Sequence, residues 1–229
     1  MIISHKHKFI FIKLRKTAGT SIEMALAGIC GEEDIITPIS KEDEKARFEL
    51  GCRGAQNYSV PMRYYGIADW KNRIFKGKKK YYYNHMPATE VKANIPSDIW
   101  NDYFKFCFER NPWDKTVSHY FHRNRSGDFS SIMDYLRHDK GDMIRGFDMY
   151  SIDGKVAVDK VFAYEEMETA LEEISGILNL PEKLTLPEYR AKSEFRTDKR
   201  PYSEILSEEE ASAIADRYAR EIDLMGYKY

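Results

Sequence analysis

The sequence predicts an α/β fold in three layers, a central and mainly parallel sheet flanked by helices. Three observations point there. Short β-branched and aromatic runs alternate with amphipathic helical patterns from one end of the chain to the other. The length, 229 residues, suits one domain, 1–229, with room for a substantial core. A hydrophobic content of 42% with 14% aromatic residues belongs to a globular chain and not a disordered one.

Residues 7–14 (His-Lys-Phe-Ile-Phe-Ile-Lys-Leu) read as a buried strand. A polar loop with a single glycine, Gly19, leads into a helix over 20–29 that places Ile22, Ala25, Leu26 and Ile29 on one face. Residues 41–50 read as a short charged helix, followed by an irregular stretch rich in Tyr, Arg and Gly. Residues 79–83 (Lys-Lys-Tyr-Tyr-Tyr) read as a second strand that ends before Asn84-His85. A short helix over 88–93 stops before Pro96, and 103–109 is a third strand by β-propensity. Pro112 opens a helix to about residue 124, with Asn111 as N-cap and Asp114 in its first turn. Residues 129–138 are helical, Asp153-Gly154 is a turn, 158–164 is a fourth strand and 166–179 an amphipathic helix. A basic loop over 187–203 precedes a closing helix, 207–224, whose Ser207 and Glu210 form a capping box.

The formal net charge is −1, so no global field draws the chain to nucleic acid or membrane, and any anion site must be local. The first eight residues are too short and polar for a signal peptide, and no run of 18 apolar residues reads as a membrane span. Cys30, Cys52 and Cys107 lie far apart without CxxC spacing, which favours reduced thiols and a cytoplasmic setting. In its apolar run, Cys107 reads as a core thiol.

Two segments carry chemistry. The first is Lys13-Leu-Arg-Lys-Thr-Ala-Gly-Thr-Ser21, between a strand and a helix. Strand, polar loop, helix is the arrangement that presents backbone N–H groups to an oxyanion. Lys16 adds a point charge and Thr17, Thr20 and Ser21 add hydroxyl donors. The order is not that of a Walker A loop, because Arg15 and not glycine precedes Lys16, so the usual Mg²⁺-binding logic is weakened. The plain alternative is a surface turn with a solvated basic pair. The second segment is Arg110-Asn-Pro-Trp-Asp-Lys-Thr-Val-Ser118. An arginine at a strand end and a serine two turns into the next helix can converge on one phosphate. Alternatively Arg110 pairs with a structural carboxylate such as Asp114 while Ser118 only packs.

In this order the two segments resemble those of the sulfotransferases that use 3′-phosphoadenosine 5′-phosphosulfate (PAPS), above all the Golgi-type carbohydrate group with the heparan sulfate 2-O- and chondroitin 4-O-enzymes and their bacterial relatives. The first is similar to the family's 5′-phosphosulfate loop, P-K-T-G/A-G-T-S, and the second to its 3′-phosphate motif, R-N/D-P-x-D/E-R-x-x-S-x-Y. Further matches follow in Val161-Phe-Ala-Tyr-Glu-Glu-Met167, in the basic stretch 189–206 and in Ile222-Asp-Leu-Met-Gly-Tyr227. Arg15 stands where the family has Pro, Lys115 where Arg is commoner, and Phe162-Ala163 lacks an Arg before the Tyr.

The resemblance implies a P-loop-like fold and transfer of a sulfuryl group from PAPS to an acceptor hydroxyl on a glycan or glycoside. It implies that Arg15, Lys16, Thr17, Ala18, Gly19, Thr20 and Ser21 hold the 5′-phosphosulfate. Arg110 and Ser118 would hold the 3′-phosphate, with Lys192, Ser193 and Arg196 beside it. Lys16 would also act on the leaving phosphate, and His85, titrating near neutral pH, would be the base; the alternative for His85 is a packing histidine. His119, His122 and Glu109 are the other candidate bases. His119 and His122, at i,i+3, lack an evident third metal ligand, and no metal is expected. Competing classes are a P-loop nucleotide kinase and a noncatalytic nucleotide-binding module. The basic run 73–80 reads as a solvated hairpin or as a guide for an anionic glycan.

Overall fold

The computed structural model describes residues 1–138, 144–188 and 196–229. Its strands are β1 (Ile2–Ser4), β2 (Phe9–Phe11), β3 (Ile35–Ile36), β4 (Phe104–Glu109), β5 (Ser151–Ile152), β6 (Lys155–Val156) and β7 (Lys160–Ala163). Its helices are α1 (Gly19–Ile29), α2 (Lys41–Glu49), α3 (Ile67–Lys76), α4 (Ala88–Ala93), α5 (Ser97–Asp102), α6 (Pro112–Arg123), α7 (Ile132–His138), α8 (Phe147–Tyr150), α9 (Met167–Ile177), α10 (Tyr202–Ile205), α11 (Glu208–Arg217) and α12 (Ala219–Met225).

Five strands form the central sheet in the order β3-β1-β2-β4-β7. The strands β2, β4 and β7 are parallel, with Phe11 opposite Phe106 and Glu109 opposite Ala163. The edge formed by β1 and β3 is antiparallel, so the sheet is mixed, with two parallel and two antiparallel pairings. The period-2 pleat sorts the side chains into two cores. Phe9, Phe11, Phe106, Phe108 and Phe162 face Ile22 and Leu26 of α1 and Leu171 and Ile174 of α9. Ile10, Ile12 and Cys107 point the other way, toward Val91 of α4, Trp100 of α5 and Tyr150 of α8. Helices thus cover both faces, giving three layers. A third cluster joins Trp113 and Val117 of α6 to Tyr135 of α7 and Ile214 of α11.

Three expectations are corrected. Residues 79–83 add no strand to the central sheet; Tyr81 only bridges Ser59, with Val60 and Tyr82 donating to the carbonyls of Lys80 and Tyr58. The exposed lysines before Tyr81 gain nothing from a buried sheet position, and β-propensity measures the fit to such a position. The closing helix is broken at Tyr218, which leaves helical geometry (φ −112°, ψ 29°) as its ring is buried beside Ile214. The helices α3 and α5 lie in stretches to which the sequence pattern assigned no helix.

Candidate active site

All three parallel strands end at one edge of the sheet, where α/β proteins gather ligands. The strand β2 runs into the loop before α1, β4 delivers Arg110 and β7 delivers Tyr164. Between them lies a cleft of about 850 Å³.

The loop is shaped by its backbone. Lys16 and Ala18 both adopt left-handed conformations (φ 63° and 54°), and backbone turns of this kind direct successive N–H groups into one concavity. Ala18 is the N-cap of α1 and contributes no side-chain hydrogen bond, and Gly19, Thr20 and Ser21 of the first turn border the cleft. Gly19 allows the close approach: a Cβ there would lie 2.8 Å from Lys13 Cγ and 3.1 Å from the Leu14 carbonyl oxygen.

Beneath the loop, Glu23 is fully buried and pairs with Lys13 Nζ at 2.5 Å, the Met1 amine at 2.8 Å and Arg47 Nη2 at 3.6 Å. Burial pushes the Glu23 carboxyl up, but these three cations more than reverse it, to about 2. The ammonium of Lys13, though it lies at the cleft wall, is therefore committed to α1 and anchors the loop.

Arg15, Lys16, Ala18, Gly19, Thr20 and Ser21 line the cleft, as do His85, Arg110, Ser118 and Arg196. Thr17 does not: it is buried and its hydroxyl donates to the Leu14 carbonyl at 3.4 Å. Lys192 and Ser193 lie outside the described residues.

Arg110 donates through Nε and Nη2 to Asp114 Oδ2 (2.9 and 2.5 Å) and through Nη1 to the Lys16 carbonyl (3.0 Å). The pairing with Asp114 is the structural role weighed from the sequence, yet the guanidinium remains at the cleft wall. These bonds take three of its five N–H donors. Its plane rests over the Tyr164 ring, 4.4 Å from the centroid. Arg196 donates to the other oxygen of Asp114 at 2.7 Å, so one carboxylate holds two arginines. The motif is tied in from behind by Glu165, which accepts from the Asn111 N–H at 2.8 Å and from the Tyr227 hydroxyl at 3.3 Å. The downstream segments around residues 164 and 227 thus meet at the base of Arg110.

His85 sits in a turn at φ 59°, not at a strand end, and donates its Nδ1–H to the Lys13 carbonyl at 3.0 Å. That bond fixes the tautomer and leaves Nε2 as the acceptor. Burial first, then the neighbouring Lys13 charge, lower its pKa to about 3; the expectation of a group titrating near neutrality is corrected, and the ring is neutral at physiological pH. His85 lines both the main cleft and a second cavity of about 450 Å³, which Arg15 and Arg123 also border along with Tyr83, Asn84 and Arg145.

The other candidate bases are placed less favourably. Glu109 is fully buried, pairs with Lys115 at 2.5 Å and does not border the cleft. His119 borders it but accepts from or donates to the Tyr135 hydroxyl at 2.8 Å, and burial holds its pKa near 3. His122 borders it as well. Among the described residues no group of three or more His, Cys, Asp or Glu is placed to hold a metal ion. Tyr164 lies in the segment 161–167 that the sequence marks, whereas no local signal marks Arg123 or Arg145.

The turn of residues 16–21 and the side chains of Arg110, Ser118 and Arg196 border one cleft at the carboxyl edge of the sheet. The sequence matches the model of the sulfotransferase family over residues 1–228. The chain belongs to the sulfotransferase family, enzymes that transfer sulfuryl groups. It is also 31% identical over 105 residues to an uncharacterized protein of Archaeoglobus fulgidus, a stretch covering 43% of this chain and 87% of that protein. No solved structure matches. Among the described residues no helix is long and apolar enough to cross a membrane.

Proposed function

We propose that the chain moves a sulfuryl group from PAPS to an acceptor hydroxyl on a carbohydrate, through a P-loop-like domain. The observation that carries this reading is that the Lys16 turn and the Arg110–Ser118 pair line the same cleft. A donor with a phosphosulfate at one end and a 3′-phosphate at the other needs two anion grips on one wall system. A volume of about 850 Å³ lies within the range of small-molecule sites.

The donor supplies an activated sulfuryl group. The N–H groups from Lys16 to Ser21, with the Thr20 and Ser21 hydroxyls, hold its 5′ end; Arg110, Ser118 and Arg196 hold the 3′-phosphate. The Lys16 ammonium stabilises charge that develops on the leaving phosphate. No metal is part of this reading, because fixed donors supply the electrostatic stabilisation. The acceptor oxygen loses its proton to His85 Nε2, which bears a lone pair because Nδ1 is the protonated nitrogen. A base with a pKa of about 3 is weak. A bound polyanion beside Lys13 and Arg15 opposes the charges that depress it, so His85 becomes a better base when the donor is in place. The second cavity, with Arg15, Arg123 and Arg145 beside Tyr83 and Asn84, supports a sugar acceptor that itself carries negative charge. The three free thiols support a cytoplasmic setting.

Calorimetry tests the reading. Adenosine 3′,5′-bisphosphate should bind more tightly than ATP with Mg²⁺, and Arg110→Ala should weaken it far more than its 3′-dephospho analogue. Lys16→Ala and His85→Ala should abolish transfer, with nucleotide binding largely kept in the His85 variant. Equal or better ATP binding, or equal loss for both nucleotides in Arg110→Ala, would reject the assignment.

A further inference from the structure

Helix α3 is turned inside out relative to the rest of the fold. None of its ten residues is buried, although Ile67, Ile74 and Phe75 are 80%, 70% and 80% exposed and Trp70 is 42% exposed. At 100° per residue these four and Ala68 occupy one arc, with Lys71 the single charge inside it, while Asp69, Asn72, Arg73 and Lys76 fall on the other side. The polar side makes the attachments. Asp69 accepts from the Gly66 N–H at 2.9 Å and from Lys80 Nζ at 2.8 Å, and Arg73 donates to the Gly77 carbonyl at 3.4 Å. Surface helices of globular proteins bury the apolar face and hydrate the polar one. A contiguous exposed patch of large apolar side chains marks a surface that docks on something. Met62, 57% exposed in the turn before, belongs to the same stretch of chain.

The charge around the patch says what kind of surface. Residues 62–80 hold seven basic side chains and one acid, and that acid, Asp69, is paired with Lys80. Lys71, Lys76, Lys78 and Lys79 are exposed around the apolar arc. A second copy of the chain would bring the same cations face to face. A bilayer with anionic headgroups offers both complements at once, hydrocarbon for Ile67, Ile74 and Phe75 and negative charge for the lysines that ring them. Trp70, its ring edge-on to Tyr65 at 5.6 Å, stands at the border of the arc, where interfacial helices place tryptophan. We propose that α3 is a docking helix that lays its Ile67–Ile74–Phe75 face into an anionic lipid surface. The inference stands apart from the nucleotide cleft and does not depend on the reaction assigned to it.

Cosedimentation of the full chain with phosphatidylcholine vesicles, with and without phosphatidylserine, tests it. Binding should require phosphatidylserine and weaken with salt. Tryptophan emission should shift to the blue on binding, a change that belongs to Trp70, because Trp100 and Trp113 are only 6% and 4% exposed. The double variant Ile74→Ser with Phe75→Ser should lose on the order of tenfold or more in affinity. Each of Lys76→Gln, Lys78→Gln and Lys79→Gln should lose about fivefold. All should keep the parent melting temperature and affinity for adenosine 3′,5′-bisphosphate. Absence of binding to phosphatidylserine vesicles overturns the proposal, as does binding that the double variant leaves unchanged. Self-association in solution abolished by the double variant, without vesicle binding, would assign the face to a second copy. Binding to an acidic polypeptide such as polyglutamate, again without vesicle binding, would assign it to a protein partner.

Discussion

Gly19 is packed so closely that one methyl group would be felt. Its Cβ would press on the stem of Lys13 and on the Leu14 carbonyl. Lys13 cannot swing away without giving up its bond to Glu23, and the carbonyl is backbone. Gly19→Ala should therefore destabilise the fold by about 1–3 kcal/mol, the usual range for overpacking. It should also weaken nucleotide binding, because the loop that must give is the cradle itself; chemical denaturation and calorimetry read the two effects. The residues of this turn that border the cleft stand out in the sequence because an oxyanion grip would need N–H donors, a lysine and hydroxyls within one turn. What each side chain does was less legible. Thr17 and Thr20 are chemically alike, yet one turns its hydroxyl to Leu14 and the other faces the cleft, a choice made by tertiary packing. The neutrality of His85 was hidden likewise, since burial and the Lys13 charge come from elements distant in the chain.

At the scale of elements, α6 carries the most. Its cap, Asn111, accepts from the N–H groups of Trp113 (3.1 Å) and Asp114 (3.3 Å), and the helix then presents Asp114, Ser118 and His119 to the cleft region. Asn111→Ala should cost about 0.5–2 kcal/mol of stability, as lost N-caps do. Because Asp114 orients Arg110, affinity for the 3′-phosphorylated nucleotide should fall with it; unchanged affinity in a destabilised variant would separate the cap from the site. This helix was readable from Asn111 as its cap and Pro112 at its start, α2 only as a charged run and α4 only as a stretch that stops before Pro96. The strands β1 and β3 were not, since runs of three and two residues carry no period. The stretch 79–83 misled because aromatic residues next to lysines can serve a two-residue bridge as well as a strand.

Across the whole molecule, buried ionisable groups set a common acid limit. Glu23 has a folded pKa of about 2 against an ordinary 4.5, so the stability it contributes is complete above 4.5 and is lost as the pH falls toward 2. His85 and His119 are held near 3 against 6.5. Between those values the unfolded chain binds more protons than the folded one, so their protonation also favours unfolding as the pH falls. These three act in one direction. The buried Met1 amine, lowered from 8.0 to about 6, adds to it from about pH 8, and the Glu221 carboxyl, which burial raises, opposes it. Urea midpoints should drop from about pH 8 downward, and a midpoint flat to pH 4 would contradict the burial of both histidines. Glu23→Ala should cost about 3–5 kcal/mol, as expected when a buried ion pair loses one partner, since Lys13 and Arg47 would stay buried facing each other. The layered α/β plan was legible from alternation alone, whereas this ionic centre joins residues 1, 13, 23 and 47, a grouping that no local pattern encodes.

The carboxylate of Asp114, gripped by Arg110 on one oxygen and Arg196 on the other, means that the guanidinium at the cleft wall is aimed before any ligand arrives. Its rotational freedom is surrendered during folding, so a phosphate bound there, as the proposed function requires, would lose little entropy in immobilising it. The same carboxylate couples the two arginines: an anion that drew Arg110 toward itself would loosen its hold on Asp114 and leave more of that charge to Arg196. On the proposed function, occupancy of the pocket would thus reach, through a single side chain, a residue 82 positions beyond Asp114.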